Sequence, residues 1–246
     1  MKRNIKLTLS YDGTNYHGFQ RQENALTIQE LLEDALTKIT QERIRITAAG
    51  RTDTGVHARG QVVNFYTSSA IPPENFPRAL NSCLPEDIIV WAAEEVPRNF
   101  NALRSAKSKL YRYTLDCGEY PNVFWRRFAW QPIYKLEADL LQKAGQYLVG
   151  THDFTSFRAA GSAVKTSVRS ITRLEWDFSQ DPLWHLYIEA NGFLYKMVRI
   201  IVGTLVEVAR GRLSPEDVAR IRDSRDRKLA GPTAPARGLC LWEVKY

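Results

Sequence analysis

Residues 48 to 65 read Ala48-Ala49-Gly50-Arg51-Thr52-Asp53-Thr54-Gly55-Val56-His57-Ala58-Arg59-Gly60-Gln61-Val62-Val63-Asn64-Phe65, and the reading of this stretch organises the rest of the chain. Gly50, Gly55 and Gly60 sit at regular intervals, with Arg51, Asp53, His57 and Arg59 between them. Alternating apolar residues precede and follow the run, so it reads as a loop joining two strands. Glycines in such a loop let the backbone turn tightly or come close to a ligand. A carboxylate set among arginines is favoured in its ionised form, because nearby positive charge stabilises it. That description suits a nucleophile and a structural ion pair equally well.

Working outward, Ile5, Leu7, Leu9 and Tyr11 alternate with Lys6, Thr8 and Ser10, the pattern of a half-buried strand that Asp12-Gly13 closes with turn chemistry. Thr27 and Glu30 form a capping box, behind which Ile28, Leu31, Leu32, Ala35, Leu36 and Ile39 share one helical face. A strand from Ile44 to Ala48 enters the glycine loop and Val62 to Tyr66 leaves it. Pro72, Pro73 and Pro77 punctuate a short helical stretch around Ala79 to Cys83, and Ile88 to Ala92 reads as a short apolar strand. Pro97 to Lys109 lacks periodicity and marks a divide, giving an N-terminal half, 1–104, and a C-terminal half, 105–246.

The second half opens with a strand from Leu110 to Asp116, followed by a helix from Leu136 to Val149 that Gly150 ends. Val168 to Phe178 and Trp184 to Ala190 read as an antiparallel pair turning at Ser179-Gln180-Asp181-Pro182. Phe193 to Ala209 is the most apolar helix and Gly211 ends it. Ser214-Pro215-Glu216-Asp217 opens another helix, with a serine cap, an early proline and acids near the positive dipole end. Leu239 to Tyr246 makes a last strand. Arg222 to Pro235, with four basic residues and two prolines, is the stretch expected to be flexible. Strands interleaved with helices, but also paired in hairpins, predict an α+β fold with a mixed, largely antiparallel sheet rather than a doubly wound parallel one.

At 246 residues the chain can hold one large core or two modest domains. An apolar share of 44% with 25% charged residues places it among ordinary globular proteins. No apolar run approaches the roughly 20 residues of a membrane span. Met1-Lys2-Arg3-Asn4 passes directly into the first strand, with no room for a signal peptide. Cys83, Cys117 and Cys240 are odd in number and widely spaced, without zinc-ligand spacing, so they read as reduced thiols and favour a cytoplasmic location. The net charge of +7 points to an acidic partner, nucleic acid first. The basic residues cluster as Arg104, Lys107, Lys109 and Arg112; as Arg126 with Arg127; and as Arg158, Lys165, Arg169 and Arg173. A solvated face is the competing reading of each cluster.

The glycine loop does not match a phosphate-cradling loop, because no Lys-Ser/Thr pair follows its second glycine. Asp53-Thr54-Gly55 is the tripeptide of aspartic proteases, whose mechanism needs two aspartates sharing a proton. No second Asp-Thr-Gly occurs, and Arg51 opposes such sharing. His57 is one of only four histidines, with His17, His152 and His185; it reads as a general base or as a hydrogen-bonding group, and no metal site is expected. Asn191-Gly192-Phe193-Leu194-Tyr195-Lys196-Met197-Val198-Arg199 places Lys196 and Arg199 one turn apart on the apolar helix. Such side chains can snorkel to water. Arg199, however, is bracketed by Met197, Val198, Ile200 and Ile201, and a buried arginine needs a carboxylate, for which Asp53 is an attractive partner. Tyr111, within Lys109-Leu110-Tyr111-Arg112-Tyr113, is either a strand core residue or a platform on which a base stacks, worth about 1–3 kcal/mol.

Four of these stretches together resemble the tRNA pseudouridine synthase A family. They are Tyr11-Asp12-Gly13-Thr14 with Gly18-Phe19-Gln20; Gly50-Arg51-Thr52-Asp53 through Gly55-Val56-His57-Ala58 to Gly60-Gln61; Lys109 to Tyr113; and Asn191 to Arg199 running on to Gly203-Thr204. Two more are Gly150-Thr151-His152-Asp153-Phe154 with Ser156-Phe157, and Thr233-Ala234-Pro235-Ala236 with Gly238-Leu239. The likeness runs from about residue 5 to the C-terminus, and position 54 varies in the family.

The resemblance implies two similar α/β halves sharing a mixed, mostly antiparallel sheet, with flanking helices and a central RNA-binding cleft. It implies isomerisation of uridine to pseudouridine at positions 38, 39 and 40 of the tRNA anticodon arm, by a homodimer in which one tRNA contacts both subunits, without cofactor or metal. Asp53 would be the nucleophile. Tyr111 would stack on the target base and serve as a base for the C5 proton, Arg199 would pair with Asp53, and Arg51 would help displace the target nucleotide. His57 and Lys196 join Tyr111 and Arg51 as expected substrate contacts. The chemistry is consistent with these residues: a carboxylate can attack C1′, as retaining glycosidases do, or C6 of the ring, and both routes need an ionised acid and a flipped-out base. Two other readings stand beside this one, a synthase of different RNA specificity and a tRNA-binding module without catalysis.

Overall fold

A computed structural model describes residues 2–161 and 164–246. The first strand forms where the alternation predicts it, as β1 (Arg3–Tyr11), and is followed by α1 (Ile28–Thr40), β2 (Thr47–Ala48), β3 (His57–Thr67), α2 (Phe76–Asn81) and β4 (Ile88–Val96). Then come β5 (Ser108–Asp116), α3 (Ala138–Gln146), β6 (Gly150–Asp153), β7 (Val168–Gln180), β8 (Leu183–Ala190), α4 (Met197–Ala209), α5 (Asp217–Ser224) and β9 (Leu239–Lys245). The chain divides into two compact units, Met1–Lys107 with Cys240–Tyr246, and Ser108–Leu239. A linear division at 104 and 105 leaves out that return of the C-terminal strand to the first unit.

In the first unit the strand order is β4-β1-β3-β9, with β2 on β3. β1 is antiparallel to both its neighbours, whereas β3 and β9 run parallel where His57 meets Cys240 and Ala58 meets Leu241. In the second unit the order is β5-β8-β7-β6, antiparallel throughout. The fold is therefore α+β with mixed, mostly antiparallel strands. Ile5, Leu7 and Leu9 of β1 are fully buried, as are Leu32, Leu36, Phe65 and Phe76. The second core is built from Tyr113, Leu115, Leu141, Phe154, Phe157, Leu186, Ile188 and the apolar stripe of α4.

Helix α1 begins as its capping box predicts, with Thr27 Oγ1 accepting the Glu30 amide at 3.4 Å. The buried acid Glu33 on the same helix has a different role. It accepts from the Ile46 amide at 3.2 Å and pairs with Arg45 at 2.6 Å, while Thr37 Oγ1 accepts the Ile44 amide at 3.4 Å. Side chains of α1 thus take the amides that a strand from Ile44 would need, and β2 shrinks to Thr47–Ala48. β3, in turn, begins as early as His57, so the glycine loop is shorter than the sequence predicts.

Three expectations for the second unit are corrected. α3 ends at Gln146, and Gly150, at φ +111°, opens β6 instead of closing the helix. α4 starts at Met197 rather than Phe193, because Lys196 adopts a left-handed conformation at φ +58° just before it. The 222–235 stretch, expected to be flexible, is fastened to α4. Gly231 donates to Thr204 Oγ1 at 2.9 Å, the Ala234 amide donates to the Arg199 carbonyl at 3.0 Å, and a Cβ on Gly203 would stand 1.8 Å from the Pro232 oxygen. Among the described residues no helix is long and apolar enough to cross a membrane.

Candidate active site

Asp53 sits in a turn moulded on three sides by the first unit. The Val56 amide donates to the Asp53 carbonyl at 3.1 Å, and Gly55, at φ +74°, donates to the Tyr16 carbonyl at 3.3 Å. On one side lies Gly18, at φ +86°, whose missing side chain makes room for the loop: a Cβ there would stand 2.7 Å from the Thr52 oxygen and 3.2 Å from the Asp53 carbonyl carbon. The next residue, Phe19, donates its amide to the same Thr52 oxygen at 3.0 Å. On a second side the Tyr11 hydroxyl meets Thr52 Oγ1 at 2.8 Å, and Gln61 Nε2 donates to the Gly50 carbonyl at 2.8 Å. Burial pushes the Tyr11 phenol well above its ordinary range, so it stays a neutral hydrogen-bonding group.

The third side is the turn at the end of β1. The Gly13 amide donates to His57 Nδ1 at 3.0 Å, and Asp12 Oδ1 lies 3.1 Å from the same nitrogen. Unprotonated, Nδ1 accepts from Gly13; protonated, it donates to Asp12. Asp12 Oδ1 also accepts from the amide and hydroxyl of Thr14, at 2.9 and 2.5 Å. His57 is only 3% exposed, which suits a tie between two turns. The side chains of Arg51 and Arg59 are exposed and Asp53 is half-buried.

In the second unit Tyr111 lies on β5 opposite Ile188 of β8, with its ring edge-on to Phe193 at 5.1 Å between centroids. It is 7% exposed, so its ring is buried. Nearby Lys109 is made less basic by burial and by the charge of Arg169. Arg199, in the first turn of α4, is fixed by the 233–238 segment: its Nε donates to the Ala234 carbonyl at 2.8 Å while its own carbonyl accepts the Ala234 amide. Tyr113, two residues beyond Tyr111, donates its hydroxyl to the Pro235 carbonyl at 2.8 Å. Burial raises its phenol well above the ordinary range, with the Arg199 and Arg237 charges opposing. Gly238 lets the ring in, since a Cβ there would stand 2.6 Å from it. Lys196 holds its ammonium 5.0 Å from the Tyr195 ring centroid.

The family model for tRNA pseudouridine synthase matches residues 8–103 and 144–246, spanning the Asp53 turn and the Arg199 helix. The chain belongs to this family. It is 47% identical over 244 residues to the tRNA pseudouridine synthase A of Acetivibrio thermocellus, covering 99% of this chain and 100% of that one. It is 49% identical over 244 residues to the enzyme of the same name from Bacillus pumilus, covering 98% of each. With that of Moorella thermoacetica it shares 49% over 245 residues, covering 98% and 99%.

Within the family frame, the glycine loop, Tyr111 and Arg199 are visible in the sequence as residue types. What the sequence reading does not supply is why Tyr11, Gly13, Gly18 and Gln61 accompany them: they shape the Asp53 turn. The motif around Thr233 to Gly238 likewise holds Arg199 and Tyr113 by backbone carbonyls, which residue types alone do not reveal. Among the described residues no group of histidine, cysteine and acidic side chains is placed to hold a metal ion.

Proposed function

We propose that the chain converts uridine to pseudouridine at positions 38, 39 and 40 of the tRNA anticodon arm, with Asp53 as nucleophile. The supporting observation is the Asp53 turn, held by Gly18, Tyr11, Gln61 and His57 in a chain of this family. Preorganisation of this kind keeps a reacting group near its attack geometry, which contributes strongly to rate. Relatives that match along their full length are named as tRNA pseudouridine synthases A.

The reaction breaks the N1–C1′ bond, turns the uracil and forms a C5–C1′ bond; C5 loses a proton and N1 gains one. All atoms of the product come from the substrate and water, so no oxidant or activated group is consumed. Asp53 attacks C1′ or C6 and is released when the new bond is complete. Tyr111 stacks on the flipped base and takes the C5 proton. Arg199 pairs with Asp53, and Arg51 occupies the space that the displaced nucleotide leaves. Lys196 and His57 complete the substrate side, the first through phosphate contact and the second by holding the Asp53 turn. The working unit is a homodimer in the cytoplasm, where one tRNA contacts both subunits.

The test is an anticodon-arm transcript tritiated at uracil C5. Tritium release mapped to positions 38–40 supports the proposal. Tight binding without release assigns the chain to RNA binding alone, and release from other positions assigns a different specificity.

A further inference from the structure

Arg59 is the charged residue of the glycine stretch for which the proposed chemistry has no use, and its surroundings are unusual. On β1, Leu9 faces Gln61 while Tyr11 faces Ala58, so Ser10 is opposed by both Arg59 and Gly60. On the other edge of β1, Thr8 faces Ala92 while Leu9 faces Val90, which leaves Trp91 as an extra residue in β4. Two β-bulges therefore flank one short segment of β1, and bulges re-aim side chains. Both redirected residues line the same groove, of about 600 Å³, together with Lys6, Thr8, Trp242 and Glu243.

The chemistry of that groove is specific. Trp91 is 57% exposed, so its indole is open to a ligand. Its Nε1 donates to the Arg59 carbonyl at 3.3 Å, which joins the two bulges. The Arg59 guanidinium lies 4.6 Å from the Trp242 ring centroid, a cation–π contact between two residues that line the groove. Lys6 is engaged by Glu94 at 2.5 Å, which leaves Arg59 as the other cation lining the groove. An aromatic face and a flat cation match an unpaired nucleotide: the base on the indole and the phosphate on Arg59.

We propose that this groove, on the first unit, is a stacking subsite for an unpaired nucleotide of the tRNA other than the uridine that reacts. The inference rests on the proposed function, since it takes tRNA as the ligand. The subsite contributes to affinity and to placement of the tRNA, and takes no part in bond making.

Trp91→Ala, Trp91→Phe and Arg59→Gln, each in the full chain, test it with a full-length tRNA transcript, by equilibrium binding and by tritium release from fully bound substrate. Trp91→Ala is expected to weaken binding about ten- to hundredfold, as loss of one stacked base does. Trp91→Phe stays near wild type because a phenyl ring still stacks, and the release rate from bound tRNA is unchanged. Arg59→Gln lowers the salt dependence of binding by about one unit of slope. That variant also decides the matter should Trp91→Ala fold poorly. Unchanged affinity in Trp91→Ala and Arg59→Gln, with wild-type turnover intact, overturns the subsite and leaves the proposed function standing. Conversion of the protein from dimer to monomer by Trp91→Ala, without a binding defect per subunit, overturns it in favour of a second copy covering the groove. A wild-type chain that neither binds nor modifies tRNA ends both proposals together.

Discussion

A Cβ built on Gly13 would stand 2.0 Å from the carbonyl oxygen of Val56, so the exit of β1 and the Asp53 turn touch backbone to backbone. Neither side is the free end of a flexible side chain that could swing away. Gly13→Ala is therefore expected to push the Asp53 turn outward. A shift of about 1 Å in a reacting group costs on the order of a hundredfold in rate, and the overpacking itself about 1–3 kcal/mol. Tritium release and thermal melting measured on the same preparation check both effects.

Asp53→Asn keeps the shape of the side chain and removes its nucleophilic charge. It is expected to abolish turnover while largely retaining tRNA binding, because phosphate contacts supply most of the affinity. Appreciable pseudouridine formation by this variant would remove Asp53 from the role of nucleophile.

His57 gives an atom-specific test. Its Nδ1 is the atom that meets Gly13 and Asp12, and the amide of asparagine can place an oxygen or nitrogen near that position, whereas glutamine reaches toward Nε2. His57→Asn is expected to keep most of kcat. His57→Gln is expected to lose about ten- to a hundredfold through misplacement of the turn, with KM nearly unchanged. Equal activity in both variants would show that the Nδ1 tie is not what positions the turn.

Arg199 is held through Nε, so charge alone does not replace it. Arg199→Leu is expected to impair turnover, and Arg199→Lys to restore it only in part. Both lose the bond to the Ala234 carbonyl, a charge-assisted contact worth about 1.5–3 kcal/mol, so both should melt earlier than wild type. A fully active Arg199→Leu chain would refute its role in the reaction.

Binding of tRNA should weaken steeply as salt rises. A protein with several phosphate contacts loses affinity by orders of magnitude between about 50 and 200 mM salt. Filter binding across that range measures the slope, and a flat response would argue against phosphate-led recognition.

Local signals in the sequence predict local structure well. The alternation of β1 and the Thr27 cap of α1 describe interactions among near neighbours, and both form as expected. The β7–β8 hairpin follows from two apolar stretches around a turn, again a short-range relationship. Two of the misreadings come from partners elsewhere in the sequence and one from an unusual backbone conformation. The Ile44 and Ile46 amides are diverted by Thr37 and Glu33, and nothing near residue 44 announces that a helix will supply those acceptors. The left-handed conformation of Lys196, an ordinary long side chain, cuts four residues from the expected start of α4. The 222–235 segment has the composition of a loose loop, yet Thr204 and Arg199 tie it down from a distance in sequence. At the candidate site the functional side chains announce themselves through unusual chemistry. Their supports do not, since Gly13 and Gly18 act through what they lack.

The parallel pairing of β9 beside His57 and Ala58 has a consequence for biosynthesis. A ribosome makes Cys240–Tyr246 only after all of Ser108–Leu239, so the first unit waits for its closing strand until the whole sequence of the second has been made. Until then the outer edge of β3, adjoining the Asp53 turn, has open amides and carbonyls and no Tyr246 hydroxyl to meet the Ala102 carbonyl. The nascent chain thus carries its nucleophile long before that nucleophile has a finished mounting.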